Sequence, residues 1–89
     1  MRQSYRISVD RHSTYYMGRG NYGLTIMPAG ATSGNVKELS SDKGLRDALT
    51  SLGYKTEEMD DILEILCAKE AFWTETRNLD ESAVAALGF

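Results

Sequence analysis

Cysteine, histidine, proline and tryptophan each occur only once in this 89-residue chain. With Cys67 alone, no disulfide can form within the chain, and a zinc site built on several cysteines is excluded. His12 is the only imidazole, and nothing in the sequence places it beside Cys67 to build a nucleophile and its base. We therefore expect no catalytic residues, no metal and no cofactor, and a protein that is not an enzyme.

Long apolar runs are also missing, and none approaches the ~20 residues that a membrane-spanning helix needs. Together with the single thiol, this favours a cytoplasmic protein without a membrane partner. Hydrophobic residues make up 42% of the chain and charged residues 26%, which is typical of a globular protein. We predict a single compact domain over residues 1–89, β-rich over 1–39 and helical over 40–89.

Acidic and basic residues are unevenly distributed along the chain, whose net charge is −3. Residues 1–37 carry five basic side chains and one acidic one, whereas residues 38–89 carry five basic and twelve acidic ones. This division predicts either a surface with two oppositely charged faces or an attraction between the two parts.

The first part of the sequence has the pattern of β-strands. Apolar residues alternate with polar ones over 5–9, and a second strand-like stretch ends at Pro28. We expect an antiparallel hairpin or three-stranded sheet over residues 3–27, with a short edge strand at 36–39 and a further addition at 71–76.

The second part predicts helices over residues 42–52, 57–69 and 80–87. Gly53 and Gly88 stand where a left-handed residue ends a helix. Candidate N-caps are Ser40 or Ser41, Thr56 and Asp80. The apolar stripe of helix 57–69 is about twice as wide as the ~100° expected of a helix that is buried on one side only. This helix is therefore either the centre of the domain or one side of a homodimer contact. The predicted fold class is α+β, a small antiparallel sheet packed against two or three helices.

A glycine-rich stretch, Gly18-Arg19-Gly20-Asn21-Tyr22-Gly23, spells G-x-G-x-x-G. A strand rather than a helix follows it, which excludes a dinucleotide-binding loop. The longer stretch GRGNYGLT resembles the glycine loop between two strands of protein kinases, but the chain has neither their length nor the H-R-D and D-F-G motifs, so kinase activity is excluded. We interpret the glycines as a hairpin turn that needs positive φ angles, where Arg19 and exposed amides could also contact an anion or a partner.

Tyrosines and arginines are concentrated in the first 22 residues. Aromatic side chains between arginines are typical of surfaces that bind single-stranded nucleic acid, although the acidic balance of the chain disfavours strong phosphate binding. The same residue types anchor protein interfaces. The candidate partner-binding residues of this part are Arg11, Tyr15, Tyr16, Arg19, Asn21 and Tyr22.

The solvent side of helix 57–69 carries a second candidate surface, formed by Asp60, Asp61 and Glu64. With Glu57 they form two pairs spaced four residues apart, Asp60 with Glu64 and Glu57 with Asp61. Such spacing could hold a hard cation, but the residue order of an EF-hand and a histidine partner are missing. We interpret them as a solvated helix face or, functionally, as an acidic ridge that competes for a basic groove, as phosphate-mimicking inhibitors do.

The stretch LTSLGYKTEEMDDIL, residues 49–63, resembles the first-loop region of ubiquitin-associated and related three-helix modules. Leu52-Gly53-Tyr54 stands in place of their Met-Gly-Phe-type loop, which binds partner proteins together with the adjoining helices. The resemblance implies protein binding. A third helix does not follow at the family's spacing, because residues 72–76 have the pattern of a strand.

The sequence thus predicts a small non-enzymatic protein-binding domain, acting as an adaptor, an assembly subunit or an inhibitor of a larger complex, in the manner of phage anti-defence proteins. The alternative is an accessory domain that contacts nucleic acid through the basic, tyrosine-rich first third. A homodimer through helix 57–69 is compatible with either function.

Overall fold

A computed structural model describes residues 2–12, 20–69 and 71–89 and shows an α+β fold. Its strands are β1 (Arg2–Arg11), β2 (Tyr22–Pro28), β3 (Val36–Leu39) and β4 (Phe72–Asp80). Its helices are α1 (Asp42–Ser51), α2 (Thr56–Glu64) and α3 (Glu81–Ala86), and α2 continues into a π-helical segment, Ile65–Lys69. The strands form one antiparallel sheet in the order β3-β2-β1-β4. The predicted fold class is confirmed, with one more strand than the three-stranded sheet we expected.

Strand β4 is longer than the predicted 71–76, and it pairs with β1 from Arg2 opposite Asp80 to Asp10 opposite Phe72. Residues 40–89, which we predicted to be mainly helical, therefore contribute the strand β4 to the N-terminal sheet. A ubiquitin-associated module would continue here as a third helix, whereas this chain continues as β4.

One face of the sheet forms the core together with the helices. Alternation along β1 directs Tyr5, Ile7 and Val9 to this face, where all three are buried. The other elements contribute further buried side chains: Tyr22, Leu24 and Ile26 from β2, Leu45 and Leu49 from α1, Met59, Ile62 and Leu63 from α2, and Leu66, Leu79 and Val84. The opposite face carries mainly polar and charged side chains of both signs, and no described helix or strand packs on it.

The end of α1 has the predicted glycine geometry. Gly53 has a φ of 100°, its N–H donates to the carbonyl of Thr50 at 3.0 Å, and the N–H of Tyr54 donates to the carbonyl of Leu49 at 3.1 Å. These are the two hydrogen bonds of a Schellman motif, and Gly88 ends α3 in the same way. The turn carries the chain from α1 into the core at Tyr54.

Two of the three predicted N-caps are confirmed. The side chains of Ser41 and Asp80 each accept a hydrogen bond from an amide in the first turn of their helix. The prediction for Thr56 was wrong, since Lys55 occupies the N-cap and its N–H donates to the carboxylate of Glu58 at 3.0 Å. Glu58 is thereby held at the start of α2.

The structure describes only part of the predicted glycine turn, most of which falls between the antiparallel strands β1 and β2. Gly18 lies outside the described residues, and neither Gly20 nor Gly23 has a positive φ. Gly23 lies within β2, opposite Asp10, and a Cβ at this position would collide with the imidazole of His12. Gly23 is therefore a strand residue close to a side chain, and the predicted positive φ is wrong for both Gly20 and Gly23.

The predicted helix 57–69 is α-helical only as far as Glu64. In the π-helical segment that follows, the carbonyl of Leu66 accepts a hydrogen bond from Nε of Arg11 at 2.7 Å. Most of the wide apolar stripe packs inside the domain, where Met59, Ile62 and Leu63 are all buried. The width of the stripe thus corresponds to the central position of this helix.

Candidate functional site

A pocket of about 200 Å³ lies between α2 and β4. Its walls are the apolar or aromatic side chains of Tyr54, Ile62 and Trp73 and the three carboxylates of Glu58, Asp61 and Glu75. Basic side chains are not among these lining residues. Aromatic faces together with carboxylates form an environment that suits a cation.

The periodicities of a strand and a helix bring these residues together. Trp73, Glu75 and Arg77 alternate along β4 and share the face of the sheet that the helices cover. Glu58 and Asp61 are three residues apart on α2, which places them on neighbouring turns of one helix face. The pocket is therefore the gap between one strand face and one helix face.

Tyr54 is the aromatic centre of the site. Its hydroxyl donates to the carboxylate of Glu75, the guanidinium of Arg77 lies 4.0 Å from its ring centroid, and its ring meets that of Trp73 edge-on at 6.2 Å and 74°. Burial first, and the hydrogen bond to Glu75 second, raise the pKa of Tyr54. The phenol thus stays protonated at neutral pH and acts as a donor.

Arg77 holds the carboxylates in position. It donates two hydrogen bonds to Glu58, at 2.8 and 3.3 Å, and lies 3.5 Å from Glu75. The hydrogen bonds from Arg77, followed by that from the Lys55 amide, lower the pKa of Glu58. Asp61 is exposed and forms no ion pair with any described residue. The cluster of three carboxylates and one guanidinium is therefore negatively charged.

The three residues of the predicted acidic ridge lie in different environments. Asp61 lines the pocket, Asp60 pairs with Arg46 at 2.7 Å, and Glu64 is exposed at the end of α2. Within the described ranges, no group of three histidine, cysteine, aspartate or glutamate side chains could hold a metal ion. Of the ridge, only Asp61 belongs to the pocket.

The N-terminal candidates that the structure describes, Arg11, Asn21 and Tyr22, do not line this pocket. Tyr15, Tyr16 and Arg19 lie outside the described residues. Arg11 is half-buried and directed towards Leu66, whereas Asn21 is exposed next to the start of β2.

Tyr22 has a fully buried side chain, so a partner could not contact it while the domain is folded. Its hydroxyl donates to Asp42 at 2.6 Å and lies 3.7 Å from the sulfur of Cys67. Burial, together with the hydrogen bond to Asp42, raises the pKa of Tyr22. We place Tyr22 in the core and leave it out of the functional surface.

Six residues that line the pocket or pair with its carboxylates were not among the candidate partner-binding residues: Tyr54, Glu58, Ile62, Trp73, Glu75 and Arg77. Of these, Tyr54 belongs to the loop that the resemblance to ubiquitin-associated modules implied in partner binding. One signal was present, because residues two apart on a strand share a face, and Trp73, Glu75 and Arg77 combine aromatic and charged side chains on such a face. Their partners on α2 depend on how the helix packs on the sheet, which no local pattern reveals.

No protein-family model, no curated protein and no solved structure matches this chain. Among the described helices, none is both long and apolar enough to cross a membrane.

Proposed function

We propose that this chain is a non-enzymatic protein-binding domain that takes a basic side chain of its partner into the pocket between α2 and β4. The observation that carries the proposal is the lining of the pocket, where three carboxylates lie beside Tyr54 and Trp73 and the single guanidinium of Arg77 pairs with only two of them, Glu58 and Glu75. A lysine or arginine would gain both ion pairing and contact with an aromatic face. Arginine and aromatic residues are the commonest anchors of protein interfaces.

The surface around the pocket supports a basic partner. Glu57 and Glu64 are exposed on α2, four residues before and three residues after the pocket residue Asp61, so that the helix surface next to the pocket is acidic as well. Complementary charge of this kind speeds the encounter of two proteins and selects against acidic partners. An adaptor, an assembly subunit or an inhibitor that covers a basic groove, as a phage anti-defence protein does, would use such a surface. A cytoplasmic location belongs to the same proposal.

Charge reversal at the rim tests the proposal. Asp61→Lys places a cation at the pocket, whereas the control Glu81→Lys makes the same change on α3, at an exposed residue away from the pocket. In affinity purification from the native cell with quantitative mass spectrometry, we expect partners captured by the wild type and by Glu81→Lys to be depleted about 10-fold with Asp61→Lys.

Thermal unfolding of both variants checks that the domain remains folded. Equal capture by all three proteins would remove the pocket from the binding surface.

Nucleic-acid binding remains the second proposal, favoured by one observation on the uncovered face of the sheet. Arg2 and Arg6 are exposed there, and Phe72 at the end of β4 is 45% exposed and available for stacking. Single-stranded oligonucleotides should then bind with an affinity that falls steeply with salt, and Arg6→Ala should reduce that slope by about one. A flat response at low salt would exclude this function.

A further inference from the structure

We infer that the partner docks as an extended basic segment, added to the sheet as a fifth strand antiparallel to β4, with one lysine or arginine in the pocket. The inference rests on the proposed function of the pocket and specifies how the partner reaches it. It depends on the edge of the sheet that lies directly beside the pocket.

Strand β4 forms an open edge of the sheet. It is nine residues long, contains neither proline nor glycine, and follows β1 in an unbroken register. In the described part of the chain, no strand lies beyond it. The opposite edge, β3, has only four residues. A long, regular edge strand offers a row of unpaired backbone groups to another chain.

The hydrogen bonds at the ends of β1 show which backbone groups of β4 are open. The carbonyl of Ser4 accepts from Ala29, on the β2 side, whereas the N–H of Arg11 donates to Ala71, on the β4 side. Alternate residues of an antiparallel strand direct their backbone groups to opposite sides, so the odd-numbered residues of β1 bond to β4. Their odd-numbered partners in β4 bond back to β1. Thr74 and Thr76 therefore direct their N–H and C=O groups to the open edge.

The same alternation places one residue of an added strand beside the pocket. A residue opposite Glu75 would lie between the two threonines, with its side chain on the helix-covered face and its Cβ roughly 5 Å from that of Glu75. A long basic side chain at this position reaches the carboxylates of Glu75 and Asp61 and the ring of Trp73. Residues on either side would project to the uncovered face, next to the threonines of β4.

Charge decides between two occupants of the edge. A second copy of this chain, paired through its own β4, would bring two negatively charged pockets together, and like charges at close range disfavour association. A segment with a lysine or arginine opposite Glu75 instead neutralises the pocket. The structure therefore favours a basic segment of another protein over self-association.

Trp73 is the only tryptophan of the chain and lines the pocket, so its fluorescence reports binding directly. The probe is a capped heptapeptide with a central arginine flanked by threonines. One control peptide has glutamate in place of the arginine. Another keeps the arginine but carries N-methyl groups on the two flanking threonines, which removes the N–H groups that would bond to β4. We expect the probe to bind and each control to bind at least about 10-fold more weakly.

A pair of variants tests the same point on the protein. Thr76→Pro removes an outward N–H from the edge strand and leaves the pocket residues in place, whereas Thr76→Ala keeps that N–H. Thr76→Pro should weaken binding of the probe at least about 5-fold relative to Thr76→Ala, with the unfolding temperature of both variants measured as the check on folding.

The outcomes separate the two proposals. Equal binding of the arginine peptide and its N-methylated form would overturn strand addition and leave the pocket as a site for basic side chains. Equal binding of the arginine and glutamate peptides, or no binding at millimolar concentration, would overturn both. A doubled mass in solution that Thr76→Pro abolishes would assign the edge to a second copy and likewise overturn the inference.

Discussion

Two tyrosines in this domain make the same kind of hydrogen bond in different surroundings. The hydroxyl of Tyr22 donates to Asp42, and that of Tyr54 donates to Glu75. Both rings are buried, at 0% and 4% exposure, and burial is the main reason that the pKa of each is raised. The difference lies in the carboxylate, because Glu75 lines an open pocket.

The comparison shows what distinguishes a structural cluster from a candidate site. A buried tyrosine with a raised pKa occurs in both, so a perturbed pKa alone does not indicate function here. Around Tyr54, carboxylates outnumber the guanidinium of Arg77, and Asp61 faces the pocket without an ion-pair partner in the described part of the chain. Uncompensated charge beside an accessible aromatic face is therefore the feature that indicates binding.

Removing the tyrosine hydroxyls should have the largest effect on stability, and the size of the effect should differ between Tyr22 and Tyr54. Tyr22→Phe takes a donor from Asp42 in a partly buried position, and we expect it to lower the free energy of unfolding by about 2 kcal/mol. Tyr54→Phe takes a donor from Glu75, where water in the pocket can replace it, and should cost less than about 1 kcal/mol. Urea unfolding at neutral pH, followed by circular dichroism, measures both values. Equal losses would show that the two environments do not differ in solvation.

Local sequence patterns predicted the parts of this fold that depend on neighbouring residues. Alternation over 5–9 indicated β1, and Gly53 with Tyr54 indicated the end of α1, because strand faces and helix ends are determined within a few residues. The N-caps Ser41 and Asp80 were predictable for the same reason.

The remaining features depend on contacts between distant residues. The register that places Asp10 opposite Phe72 cannot be derived from either strand alone, and the extension of β4 beyond residue 76 follows from that pairing. Gly23 was assigned to a turn because its place in β2, opposite Asp10 and close to His12, is visible only in the folded sheet. Predicting the fold class was therefore possible without predicting the register.

The candidate site was predicted least well, for the same reason. Asp61 was selected from the acidic pattern of its helix, but nothing local separated it from Asp60, which pairs with Arg46. Tyr54 and Glu75 meet only because α2 packs beside β4. A pocket formed by a helix and a strand far apart in sequence is a product of packing.

Alkaline pH should destabilise the protein through both tyrosines. Close to the ordinary tyrosine pKa, this loss of stability should be smaller than the effect of removing the Tyr22 hydroxyl. A raised pKa means that the folded state holds the phenolic proton more tightly than the unfolded state, so this stability is complete below the ordinary value of 10.0 and is lost as the pH rises above it. The loss is at most about 1.4 kcal/mol per pH unit for each tyrosine.

Unfolding free energies of the wild type and the two phenylalanine variants at about pH 9 and pH 11 test this expectation. Each variant should lose less stability between the two conditions than the wild type does. A wild-type protein whose stability is unchanged over this interval would show that neither phenol is more protected in the folded state than in the unfolded state.

Acid should produce the smallest of these effects at the pocket. The hydrogen bonds from Arg77 lower the pKa of Glu58, so the stability that they contribute is present above the ordinary value of 4.5 and is lost as the pH falls below it. Glu58→Gln should therefore flatten the decline of stability below that pH, whereas Glu57→Gln, an exposed carboxylate in the same turn, should leave it as in the wild type. Because the pair lies at the surface, the difference should shrink as salt is added. Acid unfolding curves at low and high ionic strength measure this difference between the two variants. Parallel curves would mean that Arg77 orients the carboxylate of Glu58 while the charge of Glu58 contributes nothing to stability.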